Sequence, residues 1–318
     1  MSLLRSLVWN NVIVNIKIYK VFNMEFISNE TFDLERSLYN KSNLTLKNVK
    51  FEGVNDGESV LKECTNINVD SSLFNLRYPL WHNHILNINN CKFLENSRAP
   101  IWYSSNVNVY NTNFNVIKAF RECKNIKIND SNINSDEVFW KVNQIEVNNS
   151  SIEGVYAFFE CKNLALKNVK FKGKYSFQYS KNICISNSFL DTKDAFWHSK
   201  NIIVKDSIVK GEYLGWFSKN ITFINCTIIG TQPLCYSKNL KIIDCKFEKC
   251  DLAFEYSIVK ANIIGSIDSI KNPLKGKIVV DECKEIILKD SKFKCKAAII
   301  VRKKWYGLYK RNKKIYWT

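Results

Sequence analysis

Six ionisable side chains stand at one recurring phase of this sequence: Glu63, His82, Glu122, Glu160, His198 and Glu255. Bulky rings run beside them, one residue earlier in their repeats: Trp81, Trp102, Trp140, Phe159, Trp197 and Trp216. Two carboxyl groups flanked by rings are what glycosidic-bond chemistry needs: one acid, one base or nucleophile, and apolar surfaces for sugar faces. Glu122 and Glu160 lie two repeats apart, which in a stack of strands separates their backbones by about 9–10 Å. That is nearer the inverting range of roughly 6.5–9.5 Å than the retaining one. Glu63 and His82, one repeat apart, are placed to share a proton. The same column also reads Glu122, Lys141, Glu160, the alternating signs of a solvated ion-pair ladder.

These phases exist because the sequence repeats. Asn106, Asn125, Asn163, Asn182, Asn201, Asn220 and Asn239 recur at an interval of 19 residues, with Gln144 filling the one gap. Each of these anchors opens an alternating apolar stretch, the period-2 signal of a strand, as in Asn163-Leu164-Ala165-Leu166. A second Asn/Asp column follows five residues later, including Asn149, Asn168, Asn187, Asp206, Asn225 and Asp244. Asn and Asp tolerate left-handed backbone, and at equal heights their side chains can ladder. Each repeat therefore reads as short strand, turn, short strand, turn, and a further strand before the next anchor.

A fixed period of this length indicates a solenoid. Leucine-rich repeats are excluded by the missing signature and helix. A left-handed β-helix drifts, because its hexapeptides sum to a different coil length, and parallel crossovers are overwhelmingly right-handed. The sequence predicts an all-β, right-handed parallel β-helix of about a dozen coils, a rod roughly 55–60 Å long. The earlier anchors Asn43, Asn66 and Ile85 are spaced 23, 19 and 21 residues from the anchors that follow them. Late in the chain, Ile258–Ile267 reads as a degraded coil and Asn272–Gly276 as an inserted loop, and Glu282–Phe293 restores the pattern. Residues 1–23 form an N-terminal extension, 24–42 a cap with a short helix over Asn29–Arg36, 43–301 the β-helix, and 302–318 a basic aromatic tail.

The columns decide which side chains face out. Five before the anchor stand Leu80, Ile101, Phe120, Phe139, Phe158, Phe177, Phe196 and Leu234, an inward column. The next residue then points outward, and Arg121 and Gln178 in that column support the assignment because an unpaired charge inside is costly. The opposite phasing would bury the Trp column and expose the Phe column. Either way one aromatic strip is left near solvent, and such strips mark binding surfaces. The strip suits a carbohydrate ligand, or a protein partner or second copy docking without chemistry.

Charge offers a further reading. The formal net charge is +17, and lysines precede many anchors: Lys124, Lys162, Lys181, Lys200, Lys219 and Lys238. They form either a solvated row that keeps the stack soluble or a track for a polyanion. The tail from Arg302 to Trp317 mixes cations with aromatics, as nucleic-acid or anionic-lipid binders do, and as a capping strand with a soluble end would. Among the 11 cysteines, Cys64, Cys123, Cys161 and Cys283 stand two before the anchor and Cys91, Cys226 and Cys245 six after it, small inward sites that other coils fill with Ser, Val or Thr, and no Cys/His spacing fits a metal. No phosphate loop or nucleophile elbow appears, so no cofactor is expected. Reduced thiols without a clear signal peptide point to the cytoplasm, and no apolar run is long enough for a membrane span.

Several words of the sequence resemble a known family: Asn29-Glu30-Thr31-Phe32, Gly57-Glu58-Ser59, Leu76-Arg77-Tyr78-Pro79-Leu80-Trp81-His82, Gly230-Thr231-Gln232-Pro233-Leu234 and Asp251-Leu252-Ala253-Phe254-Glu255. They are similar to an uncharacterised bacterial domain-of-unknown-function family of single-stranded right-handed β-helix, pectin-lyase-like proteins. The resemblance covers about Met24 to Ile300. It implies the fold and supplies no activity. It draws attention to Arg77 and Tyr78, beside Trp81, His82 and Glu255, as ligand-contact positions. The calcium-binding Asp cluster and catalytic Arg of a typical pectate lyase are not evident.

Overall fold

The computed structural model describes residues 4–9, 12–17 and 23–302. The strands Leu4–Trp9 and Val12–Lys17 pair antiparallel. From Glu25 to Val301 the chain winds through about fifteen turns of a parallel β-solenoid. The expected tail lies outside the described residues. At one strand spacing per turn the rod is roughly 65–70 Å long, longer than a dozen coils would give. The added turns come from both ends: Glu25–Ser28 pairs with Leu44–Lys47, and Ala298–Val301 pairs with Lys277–Val280.

The anchor strands form one continuous parallel sheet. In Lys162–Lys167, Leu164 and Leu166 are buried while Asn163, Ala165 and Lys167 face water. Leu164 stands in register with Ile183, then Ile202, Ile221 and Leu240. A slip of one residue would turn that whole column to solvent, so the register is strongly specified. A second sheet of shorter strands runs from Thr31–Phe32 to Lys246–Glu248. Its inward rings Phe51, Phe74, Phe93 and Phe114 stack in sequence at 4.7, 4.4 and 4.4 Å.

The third face is mostly not strand. Leu80–Trp81 pairs with Ile101–Trp102, which bridges to Arg121. Elsewhere every second residue is left-handed: Tyr156 (φ 57°), Phe158 (59°) and Glu160 (55°), followed by the anchor Asn163 (60°) and Asn168 (54°). Asn accepts this conformation readily, whereas a Phe there costs about 1–2 kcal/mol. Hydrogen bonds between rungs offset that cost. Tyr156 and Glu160 donate forward to the carbonyls of Lys174 and Gln178, and Phe158 donates back to Val138, all within 2.9–3.0 Å. The predicted inward column is confirmed: Phe120, Phe139, Phe158, Phe177 and Phe196 are fully buried and stack at 4.7–5.0 Å.

Amide ladders run up the corners. Asn182, Asn201, Asn220 and Asn239 each donate to the anchor below at 2.8–3.0 Å. Where Gln144 interrupts the series, Asn143 accepts from Asn163 instead. The second column ladders too, as in Asn168 to Asn149 and Asn225 to Asp206.

Two expectations are corrected. No helix occurs among the described residues, so the predicted cap over Asn29–Arg36 does not form. Thr31–Phe32 pairs with Lys50–Phe51 instead, and Phe32 stacks on Phe51 at 5.8 Å; pairing and ring burial override the local capping signal. The supposed loop at Asn272–Gly276 is only the short link between Ile258–Lys271 and Lys275–Ile287, two long strands that pair with each other. The irregular spacings are absorbed at one corner. Between the second sheet and the third face, extra residues bulge out around Gly53–Asp56 and Leu94–Glu95 while the strands on either side keep register.

All eleven cysteines are free, nine of them buried, with Cys184 exposed and Cys295 half-buried. Burial pushes the thiols of Cys64 and Cys283 up to about 11, and those of Cys91, Cys123, Cys235 and Cys250 up to about 12, from an ordinary 9.0. The folded chain thus keeps protons that the unfolded chain releases above pH 9. This contribution to stability is complete below pH 9 and is lost as pH rises toward 11–12. Denaturant midpoints at about pH 8 and about pH 10.5 should show the fall. Native-state thiol labelling should reach Cys184 and Cys295 first, and equal labelling of all eleven would contradict the buried columns.

Candidate functional site

The sequence-predicted residues collect on the third face, and the alternating backbone sets their depths. The residue five before the anchor is buried, the next is half-buried and the one after is exposed, as in Phe196, Trp197 and His198. The Trp column is therefore outward but sunken. Each indole N–H donates across to a carbonyl on the following rung: Trp81 to Ala99, Trp102 to Lys118, Trp140 to Tyr156, Trp197 to Tyr213 and Trp216 to Gln232, at 2.7–2.9 Å. Gln178 reaches Asp194 in the same way with its amide at 3.2 Å. This shared bond explains why Gln substitutes for Trp in the column. Phe159, which cannot donate, packs tilted against Trp140 at 5.1 Å.

Ring orientation changes what the column can do. Trp81 and Trp102 are nearly parallel at 4.9 Å, as are Trp197 and Trp216 at 5.4 Å. Arg121 fills the step between Trp102 and Trp140, 5.1 and 4.4 Å from their rings, and pairs with Glu137 at 3.6 Å. The indoles stack along the rod, so neighbouring groups cover their faces and edges are turned outward. They make a ribbed wall along the rod.

The ionisable column lies beside this wall. Glu63, His82, Glu122, Glu160 and His198 are exposed and left-handed, and Glu255 is half-buried. Glu63 accepts from the Tyr39 hydroxyl at 2.6 Å, which holds that phenol above its usual range. No hydrogen bond joins Glu63 to His82 among the described residues; His82 stacks on Tyr103 at 4.9 Å instead. Tyr179, His198 and Phe217, all exposed, and the half-buried Tyr236 form one continuous pile at 4.8–5.1 Å. Glu255 pairs with Lys271 at 3.0 Å, under the Tyr236 hydroxyl at 3.5 Å. Glu122, Lys141 and Glu160 make no ion pair with one another, so the alternating ladder does not close. Arg77 pairs with Asp56 at 3.1 Å and Glu58 at 3.8 Å, and Tyr78 leans on Trp81 at 4.8 Å. Among the described residues, no cluster of three His, Cys, Asp or Glu side chains could hold a metal ion.

A separate recess lies away from these residues. It covers about 630 Å³ on the outer face of the second sheet. Two outward columns line it: Lys92, Asn113, Asn132, Ser151, Lys170 and Phe189 on one side, and Leu94, Asn115, Asn134, Glu153, Lys172 and Asp191 on the other. A smaller recess of about 350 Å³ continues from it over Gly154 and Gly173. A Cβ at Gly173 would lie 2.1 Å from the Gly154 carbonyl, so only glycine lets the rungs close there. Within the recess, Asn132 donates to Asn113 and Asn134 to Asn115, both at 3.0 Å, and Ser151 donates to Asn132 at 2.5 Å. Lys172 pairs with Glu153 at 2.7 Å. Sequence reasoning passed over these residues. Their signal was present as polar residues at every second position, but polar outward positions on a strand look like ordinary solvation.

A protein family described as being of unknown function matches residues 25–301. No curated protein sequence matches this chain. Among solved structures, it is similar to a tailspike protein mutant of E. coli bacteriophage HK620 in complex with a hexasaccharide, at 10% identity, over 86% of this chain and 72% of that one, with a TM-score of 0.34. It is also similar to the A-module of an Azotobacter vinelandii mannuronan C-5 epimerase, at 9% identity, over 87% and 91%, with a TM-score of 0.26. A surface adhesin of Streptococcus pneumoniae is similar at 10% identity, over 87% and 82%, with a TM-score of 0.26.

The indole bonds predict a structural role for the wall. Trp140→Phe should lower unfolding stability by about 0.5–1.5 kcal/mol by stranding the Tyr156 carbonyl, and chemical denaturation measures this. An unchanged midpoint would mean that the bond is not worth making.

Proposed function

This chain belongs to the DUF3737 family of proteins of unknown function, and we propose that it is a carbohydrate-binding β-helix whose ligand lies in the second-sheet recess. One observation carries this reading: two in-register rungs of half-used amides, Asn113 and Asn115 beside Asn132 and Asn134, within a recess of about 630 Å³. An Asn side chain offers two N–H donors and two acceptor lone pairs. Asn132 spends one donor on Asn113 and one acceptor on Ser151, leaving one of each for a ligand. The amides fill two successive rungs about 4.8 Å apart, and Ser151 and Glu153 continue the two columns on the next rung with other polar groups. A linear glycan offers hydroxyl donors and acceptors at a comparable repeat. Phe189 and Leu94, at the two ends, add apolar contact for ring C–H faces.

A glycan array with the full chain identifies the ligand. Asn115→Ala combined with Asn134→Ala and Glu153→Gln should then weaken binding by about tenfold or more, equivalent to about 1.4 kcal/mol. Unchanged binding by that variant would remove the recess from the site.

A second reading places glycan processing on the third face, because Glu122 and Glu160 are exposed carboxylates with no ion-pair partner among the described residues. In this reading Glu63, His82, His198 and Glu255 are further candidate groups, and Arg77, Tyr78, Trp81, Trp102, Trp140, Phe159, Trp197 and Trp216 are the contact residues. Glu122→Gln and Glu160→Gln should each abolish release of reducing ends from the array ligand while leaving its binding intact. Release that persists in both variants would eliminate the pair.

A further inference from the structure

Lysines line two faces of this solenoid, and only on one of them do five in succession stack directly on one another. On the second sheet and its edge, three lysines meet an acid on a neighbouring rung: Lys172 with Glu153 at 2.7 Å, Lys193 with Glu212 at 2.7 Å and Lys210 with Asp191 at 2.8 Å. On the anchor sheet, Lys162, Lys181, Lys200, Lys219 and Lys238 stand directly above one another in register. All five are exposed, and none has an ion-pair partner among the described residues. Like charges placed directly opposite destabilise a sheet. Five in succession form a line of uncompensated charge about 19 Å long at one cation per rung height.

The line has a built flank. One residue on, the laddered amides of Asn182, Asn201, Asn220 and Asn239 border a recess of about 490 Å³ that also includes Thr222 and Lys241. We propose that this face is a binding track for a linear acidic polysaccharide carrying one carboxylate per sugar. The carboxylates pair with the lysine column, and the sugar hydroxyls meet the amide ladder. Charge spacing selects this polymer over nucleic acid. A duplex strand carries a phosphate about every 3.4 Å and falls out of step within a few rungs. Single strands depend on exposed ring platforms, and no aromatic side chain lines this recess. The proposal rests on the carbohydrate reading for ligand class but uses a different face, so each can fail alone.

The test measures binding of the full chain to labelled polyglucuronate, neutral dextran and a thymidylate oligomer by fluorescence anisotropy across a salt series. Polyglucuronate should bind most tightly at equal charge concentration, weakening as salt rises. The triple variant Lys181→Gln, Lys200→Gln, Lys219→Gln should lose about tenfold or more in affinity and show a shallower salt dependence. The charge-matched control Lys47→Gln, Lys249→Gln, Lys289→Gln, at exposed lysines away from this recess, should stay within about twofold of the parent. Thermal melts by circular dichroism confirm that both variants fold. Equal losses in the two triples would overturn the proposal by showing net charge alone, and so would tighter binding of the oligonucleotide. Loss in the recess variant but not in the lysine variant would move the acidic ligand to the second sheet and reject the track.

Discussion

Everything in this molecule depends on successive rungs keeping the same backbone phase. Each regular rung sets left-handed residues at five fixed positions, and the corner amides bond only if those positions coincide in height. A Phe in the left-handed region is unfavourable alone and is held by hydrogen bonds to the rungs above and below. No rung is therefore stable by itself. Its strained residues, its half of each amide bond and one face of each ring are completed by its neighbours, as expected of a one-dimensional stack.

That constraint explains which parts were legible in sequence. The 19-residue interval, the anchor Asn column and the buried Phe120–Phe196 column were readable because side-chain type reports directly on burial and backbone conformation. The depth of Trp197 was not. It depends on an indole reaching the Tyr213 carbonyl one rung later, and that carbonyl is available only because the backbone of the third face alternates in hand. The end at Asn29–Arg36 misled for a related reason. Its acids and N-cap residue are local signals, whereas Phe32 answers to Phe51, a full turn away. The second-sheet recess was hidden because Asn113, Asn115, Asn132 and Asn134 resemble any solvated strand surface until their mutual bonds are seen.

The three faces divide the physical roles. The third face spends several of its polar groups internally, indole on carbonyl, arginine between rings and phenol on carboxylate, and leaves Glu122 and Glu160 exposed. The second sheet keeps half of its amide valence at two rungs and pairs Lys172, Lys193 and Lys210 with acids. The anchor sheet keeps its amides and leaves its lysines unpaired. Among the described residues, no helix is long and apolar enough to cross a membrane.

The corner where the early rungs carry extra residues has a practical consequence. Chain can be added around Val54 without disturbing Phe51 above Phe74, because the surplus leaves the stack rather than entering it. Foreign peptides spliced at the matching corner of other rungs would be displayed at heights set by the rung spacing. The rod could then serve as a molecular ruler, with cargo positions chosen in steps of one turn.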